Sequence, residues 1–268
     1  MTSPVLSLRA AALTLGGRTL WQGLDLDVAP GEFVAVLGAN GSGKTSLLRT
    51  VLGQHELSAG TATLLGDPVR HGDRRIGYVP QQRLAEEGTP LRGRDLVALG
   101  VDGHRWGVPL PTRARRARID ALLESVGASH YARVPVARLS GGEQQRLRIG
   151  QALAADPRLL LCDEPLLSLD LRHQRSVSEL IDRQRRERGF GVLFVTHDVN
   201  PLLDFVDRVL YLANGAFRVG TPDEVLRSEV LSELYRAPVD VIRHNGRVIV
   251  VGAPEAPHHH DHGEGAHV

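Results

Sequence analysis

Lysine is almost missing from this chain. Of 32 lysine and arginine residues in 268 positions, one is lysine, Lys44. Cysteine and methionine also occur once each, and aromatic residues make up 4%. A lone Cys162 excludes an internal disulfide, and no apolar stretch at the amino terminus resembles a signal peptide, so a reducing cytosolic compartment is expected. No apolar run approaches the roughly 20 residues that cross a bilayer, so in a membrane process another polypeptide would have to span. A net charge of +1 gives no global sign of a nucleic-acid partner, and none is expected. The local basic runs over residues 113–118 and 183–188 read as solvated helix faces.

What is present explains the one lysine. A chain that uses arginine everywhere else keeps a compact ammonium where a planar guanidinium would not fit between close-packed phosphate oxygens. Lys44 lies in Gly38-Ala39-Asn40-Gly41-Ser42-Gly43-Lys44-Thr45, which fits the phosphate-loop pattern G-x-x-x-x-G-K-[ST]. The apolar run Phe33–Leu37 precedes it as a strand, and Ser46-Leu47-Leu48-Arg49 opens a helix after it. Glycines permit positive φ and leave no side chain between backbone and ligand, so successive N–H groups can line an anion nest at a helix N-terminus. Lys44 would reach the β- and γ-phosphates and Thr45 would ligate Mg²⁺. The plain alternative, a glycine-rich turn before an ordinary helix, does not account for the strand–loop–helix order.

Residues 5–36 alternate apolar and polar around Gly16-Gly17, Gly23 and Pro30-Gly31, as antiparallel strands joined by turns do. From about residue 84 the pattern turns helical, and strands return at Leu159–Cys162 and Gly191–Thr196 with a helix over about 172–188 between them. Such alternation implies a mainly parallel sheet covered by helices. Val209–Leu212 and Gly215–Gly220 read as a hairpin turning at Asn214-Gly215. Trp21 and Cys162 read as core residues.

Two further segments carry chemistry. The apolar run Leu159–Cys162 ends in Asp163 and Glu164, a pair suited to holding Mg²⁺ and to orienting or activating water. Neighbours on a strand point to opposite faces, so one site uses both only where the strand has just ended, as Pro165 suggests. Leu139-Ser140-Gly141-Gly142-Glu143-Gln144 places a serine and two glycines before a helix, a second anion cradle; its plain reading is a capping box of Ser140 with Glu143.

Together these residues resemble the ATP-binding cassette (ABC) ATPases, with Leu139–Gln144 matching the family's signature sequence. The resemblance covers about residues 5–235. It implies an α/β fold, the P-loop NTPase ABC-ATPase fold, with a mainly parallel core sheet, an antiparallel β subdomain and a helical insertion of about 84–157 in a domain of residues 1–235. An extension over 236–251 and a disordered His-rich tail over 252–268 would follow. It implies ATP and Mg²⁺ as ligands, with Gly38, Ala39, Asn40, Gly41, Ser42, Gly43, Lys44, Thr45 and Ser46 on the nucleotide and Thr45, Gln81 and Asp163 on Mg²⁺. Glu164 would be the catalytic base, with His197, Gln81 and Lys44 completing the catalytic set. Ser140, Gly141, Gly142 and Asp170 would serve a nucleotide sandwiched in a head-to-tail dimer with a second copy. In place of the aromatic that usually stacks on adenine in the family, this chain has Leu15.

The segments Ile76–Gln81 and Pro90–Gly100 are similar to those of zinc and manganese importers, and also of iron-complex and vitamin importers. The implied role is the ATPase of a metal-ion importer, peripheral on the cytoplasmic face of the plasma membrane, with transmembrane permease subunits and indirectly an extracytoplasmic metal-binding protein. An importer of chelated iron or another small solute is the alternative. Non-transport members of the family, the other class to weigh, usually carry fused cassettes, long coiled coils or a companion domain, none of which this sequence shows. In the tail, His258, His259, His260, His262 and His267 form a flexible cluster suited to Zn²⁺, with a merely solvating tail as the plain alternative.

Overall fold

Alternation of side chains across one sheet sets the layers. In the computed structural model, which describes residues 3–81, 91–103, 110 and 112–252, the apolar run Phe33–Gly38 forms β3. It lies between β8 (Gly191–Val195) and β9 (Arg208–Ala213), parallel to both. β7 (Leu159–Asp163) and β6 (Ile76–Val79) extend the sheet in parallel, and β10 (Ala216–Gly220) closes the other edge antiparallel, giving the order β10-β9-β3-β8-β7-β6. The strands are apolar on both faces because both are covered. Phe33, Ala35, Leu160, Cys162, Val192 and Phe194 face the helical side, and Val34, Val36, Leu159, Leu161, Leu193 and Val195 face the other. Cys162 and Trp21 are core residues, as expected.

The second face packs on a four-stranded antiparallel sheet, order β2-β1-β4-β5, of β1 (Leu6–Leu15), β2 (Arg18–Val28), β4 (Ala59–Leu64) and β5 (Asp67–Pro68). Its inward residues Leu6, Leu8, Leu13, Trp21, Leu24 and Leu26 join the core beneath β3. After α1 (Lys44–Val51), helices α2 (Gly93–Asp102), α3 (Arg113–Ser125) and α4 (Gly141–Ala152) lie in the chain between β6 and β7, and α5 (Leu171–Arg188) joins β7 to β8. The mixed sheets and this helix placement are those of the ABC-ATPase fold expected from the sequence.

The hairpin of β9 and β10 turns at Asn214 and Gly215, with φ of 49° and 81°, the pair of left-handed residues that a two-residue turn matching strand twist requires. Beyond it come α6 (Pro222–Val225), α7 (Ser228–Tyr235) and a two-stranded sheet of β11 (Asp240–His244) and β12 (Arg247–Val251). The tail histidines His258, His259, His260, His262 and His267 lie outside the described residues.

One reading of the basic runs needs correction. Arg185 does not face solvent. Its side chain is 6% exposed, ion-paired to Asp182 at 2.8 Å and Asp207 at 2.6 Å, and its guanidinium donates to the carbonyls of Gly31 and Phe205. The guanidinium also sits 5.5 Å from the Phe33 ring centre. Five fixed donors explain why arginine can tie α5 to the loop before β3 and to the segment before β9 at once. Arg115 and Arg118 likewise pair with Asp102 and Asp156.

Candidate functional site

The carboxyl ends of four parallel strands deliver the predicted residues to one edge of the sheet, where ligands bind in open α/β folds. β3 runs into the loop 38–43, β7 ends at Asp163, β8 leads to His197 and β6 leads to Gln81.

The loop from Gly38 is shaped by close approach. A Cβ on Gly38, whose φ is 139°, would fall 2.1 Å from the Leu212 carbonyl oxygen and 2.9 Å from Ser42 Oγ. One on Gly43, φ 96°, would meet the Trp21 ring at 3.0 Å. Trp21 is therefore a floor for the loop as well as core, a role no local pattern in the sequence signals. Lys44 and Thr45 open α1, so the free backbone N–H groups of its first turn face the loop. The Lys44 ammonium is buried and donates to the carbonyls of Gly38 at 2.7 Å and Ala39 at 2.9 Å. Burial lowers its pKa, opposed by the nearby carboxylates of Glu164 and Asp163. Ser42 Oγ is buried and has no hydrogen-bond partner among the described residues. A cradle with a buried cation, an unpaired hydroxyl and free helix N–H groups fits phosphate oxygens. Ala39, Asn40, Gly41 and Ser46 occupy the remaining positions of this loop and first turn, with Gly41 at φ 74°.

Asp163 lies directly across from α1. The Thr45 hydroxyl donates to Asp163 Oδ1 at 3.0 Å and the Tyr78 hydroxyl to Oδ2 at 3.3 Å. Burial raises the carboxyl's pKa, with the two hydroxyl donors working the other way. The Tyr78 phenol is pushed up to about 12, first by burial and then by the Asp163 charge. Sequence reasoning used Tyr78 only as part of a strand, and its contact with Asp163 depends on pairing of β6 with β7. Thr45, Tyr78, Gln81 and Asp163 line one cavity of about 410 Å³. A hydroxyl, a carboxylate and an amide oxygen are the hard donors Mg²⁺ takes, so this set fits that ion.

The two carboxylates share the site by a backbone device. Glu164 has φ 45°, in the left-handed region, and its N–H donates to the Val195 carbonyl at 3.0 Å. The strand thus turns at Glu164 itself, one residue before the proline. Its carboxylate approaches His197 Nδ1 at 3.5 Å. The loop behind His197 is pinned on both sides: Thr196 donates its N–H to Val36, and Thr196 Oγ1 and the Asp198 backbone hydrogen-bond each other.

Ser140, Gly141, Gly142 and Asp170 form a second group. Among the described residues, no hydrogen bond or ion pair joins segment 139–145 to the loop 38–46. Ser140 caps α4 in the expected box: Glu143 N–H donates to Ser140 Oγ, and Ser140 N–H donates to Glu143 Oε2 at 2.9 Å. Asp170 caps α5, accepting from His173 N–H at 2.8 Å, with the His173 ring nitrogen also 2.9 Å from the carboxylate. A Cβ on Gly142 would lie 2.6 Å from His173 Cδ2, so the glycine lets the two helix starts meet. His173 was not anticipated, since histidine three residues after a cap carries no sequence signal of a contact with α4.

Comparison with known proteins gives an independent result. The family model described as ABC transporter matches residues 21–167. The chain is 34% identical to the zinc import ATP-binding protein ZnuC of Pseudomonas putida, over 100% of this chain and 93% of that protein. It is 35% identical to the hemin import ATP-binding protein HmuV of Rhodopseudomonas palustris, over 88% of this chain and 90% of that protein. Among solved structures it resembles an ABC transporter of metal-chelate type in an inward-facing conformation, with TM-score 0.78 and 27% identity over 92% of this chain and 96% of that one.

Proposed function

The chain belongs to the ABC transporter family, as an ATPase of its import systems, and from that membership we propose that it powers uptake of a metal ion, zinc first. No helix among the described residues is long and apolar enough to cross a membrane. Separate permease subunits would carry the ion across and hold this chain peripherally on the cytoplasmic face. An extracytoplasmic metal-binding protein would deliver the ion.

The observation that carries the ATPase part of this reading is the buried Lys44 ammonium in its carbonyl cradle, facing Asp163 across Thr45, while the zinc part leans on the zinc-import relatives. On ATP binding the ammonium exchanges the Gly38 and Ala39 carbonyls for phosphate oxygens, and the loop N–H groups take the rest of the charge. Thr45, Asp163 and Gln81 would hold Mg²⁺, which when bound neutralises charge on the phosphates. Glu164 orients and activates the attacking water. His197, beside it, holds the γ-phosphate end. Among the described residues no hydrogen bond or ion pair joins Ser140, Gly141, Gly142 or Asp170 to this loop, and they would serve the nucleotide of a second copy, head to tail. Hydrolysis should fall by roughly 10³-fold or more in Lys44→Ala and in Glu164→Gln. Turnover that persists in both variants overturns the mechanism.

A second reading rests on the hemin-import relative and the metal-chelate neighbour. Manganese, expected beside zinc from the sequence, has no such support among these relatives. Reconstitution with the partner permease and binding protein separates the readings: stimulation of turnover by zinc supports the first, and stimulation by a metal chelate alone supports the second.

A further inference from the structure

The carboxyl-terminal hairpin carries an apolar face that the ATPase reading does not use. Ile242, Ile249 and Val251 are 49%, 48% and 48% exposed, while Val248 on the opposite face is buried in the core. Asn245 and Gly246, with φ of 48° and 73°, make the two-residue turn that fixes the register Asp240↔Val251, Ile242↔Ile249 and His244↔Arg247 on the outward face. The isoleucine pair lies at the centre of that face, with an acid at one end and a histidine and arginine at the other. Among the described residues neither Asp240 nor Arg247 has an ion-pair partner.

This pattern is self-complementary. A two-fold axis between two such faces, perpendicular to the strands, stacks Ile249 on Ile249 and Ile242 on Ile242. It also sets Asp240 of one copy against His244 and, on the diagonal, Arg247 of the other. That is the isologous arrangement in which one patch meets itself. A two-stranded sheet is marginal alone, and covering its face with a second sheet would give it the layer it lacks.

The hairpin is also wired to the site. Asn200 donates Nδ2–H to the Val248 carbonyl at 2.9 Å and accepts the Val248 N–H at 2.8 Å, closing a two-bond clamp onto β12. The same side chain and its backbone N–H both donate to Asp198 Oδ1, at 2.7 and 2.9 Å. Asp198 adjoins His197. Displacing β12 therefore pulls on the loop that carries the histidine.

We infer that the outward face of the β11–β12 hairpin is a second interface with another copy of this chain, and that the Asn200 clamp transmits its pairing to the His197 loop. The shape of the face is the hairpin's own, while its pairing in solution and the coupling through Asn200 rest on the ATPase reading. The face is small for an independent interface, so it acts where two copies are already held together and the effective concentration is high.

Cross-linking tests it with little background, because the one native cysteine, Cys162, is buried. The full-length Ile249→Cys variant, treated in the presence of ATP with ethane-1,2-diyl bismethanethiosulfonate, a short thiol-to-thiol linker that spans the roughly 10 Å between facing sheets where a direct disulfide would not, should form a covalent dimer with itself. Leu99→Cys, equally exposed on α2, should not. Asp240→Arg added to Ile249→Cys should lower the yield, and Arg247→Asp added to both should restore it. Equal cross-linking at positions 249 and 99 overturns the interface. The locked dimer should change ATP turnover at least about fivefold, reversed by dithiothreitol, the size of an ordinary coupling between sites. Asn200→Ala should abolish that change. Cross-linking with turnover unmoved overturns the clamp. Hydrolysis that survives Lys44→Ala would instead overturn the ATPase reading and leave the cross-linking result standing.

Discussion

Lys44 and Asp163 hold the most consequential charges in the molecule, and each is kept where the fold alone would not choose it. Burial raises the Asp163 carboxyl's pKa, so the fold favours its protonated form. That stabilising contribution is fully present below the unfolded value and is lost as pH rises through the raised one, so at neutral pH the ionised carboxylate destabilises the ligand-free protein. Asp163→Asn should therefore raise the neutral-pH melting temperature by a few degrees, the order of about 1 kcal/mol in a chain this size. The gain should shrink as pH falls towards about 4, while Mg²⁺-dependent hydrolysis is lost. Differential scanning calorimetry across pH, without nucleotide, checks the first part. Tyr78→Phe removes one of the two hydroxyls that fix the carboxylate. Its 3.3 Å bond is long, so the expected stability loss is at the low end, about 0.5 kcal/mol, with a several-fold rise in the Mg²⁺ concentration needed for half-maximal turnover. An unchanged Mg²⁺ titration would show that Thr45 alone orients Asp163.

At the scale of elements, α5 does two jobs with one sequence. Its amino end is capped by Asp170, and its carboxyl end is locked by Arg185. Removing that guanidinium leaves the buried Asp182 carboxylate with Arg186 alone, at 3.0 Å, and takes the Arg185 donors from two carbonyls. Arg185→Met should cost about 2–3 kcal/mol in urea unfolding, and Arg185→Lys should recover only part, since one ammonium cannot reach all four acceptors. Ser140→Ala gives the opposite signature. Loss of an exposed cap costs about 1 kcal/mol, yet on the head-to-tail reading it should reduce ATP turnover far more than that stability loss explains. Thermal melts and steady-state hydrolysis on the same samples separate the two effects.

Across the whole molecule, one mainly parallel sheet divides two cores, and the site stands at the strand ends. The tail beyond residue 252 lies outside the described residues, and a chain ending at 252 should keep its melting temperature and basal hydrolysis. If His258, His259, His260, His262 and His267 bind Zn²⁺, calorimetric titration should show the metal taken up by the full chain and not by the shortened one; equal uptake by both removes the tail from any metal reading.

Neighbouring residues were enough to read the class of fold and to nominate the residues of the site. The glycine spacing around Lys44, the apolar run ending in Asp163 and Glu164, and the capping pattern at Ser140 are local, because a loop's backbone geometry and a helix cap are written in neighbouring residues. Strand identity in the core sheet was legible for the same reason, through continuous apolar runs. The tertiary structure alone decided what meets across distance. It set Tyr78 on Asp163, Trp21 beneath Gly43, His173 against Gly142, Arg185 inside a ring of acceptors and Asn200 on Val248. None of these side chains announces its partner, since each contact is fixed by which strands pair and how far the chain travels before it returns.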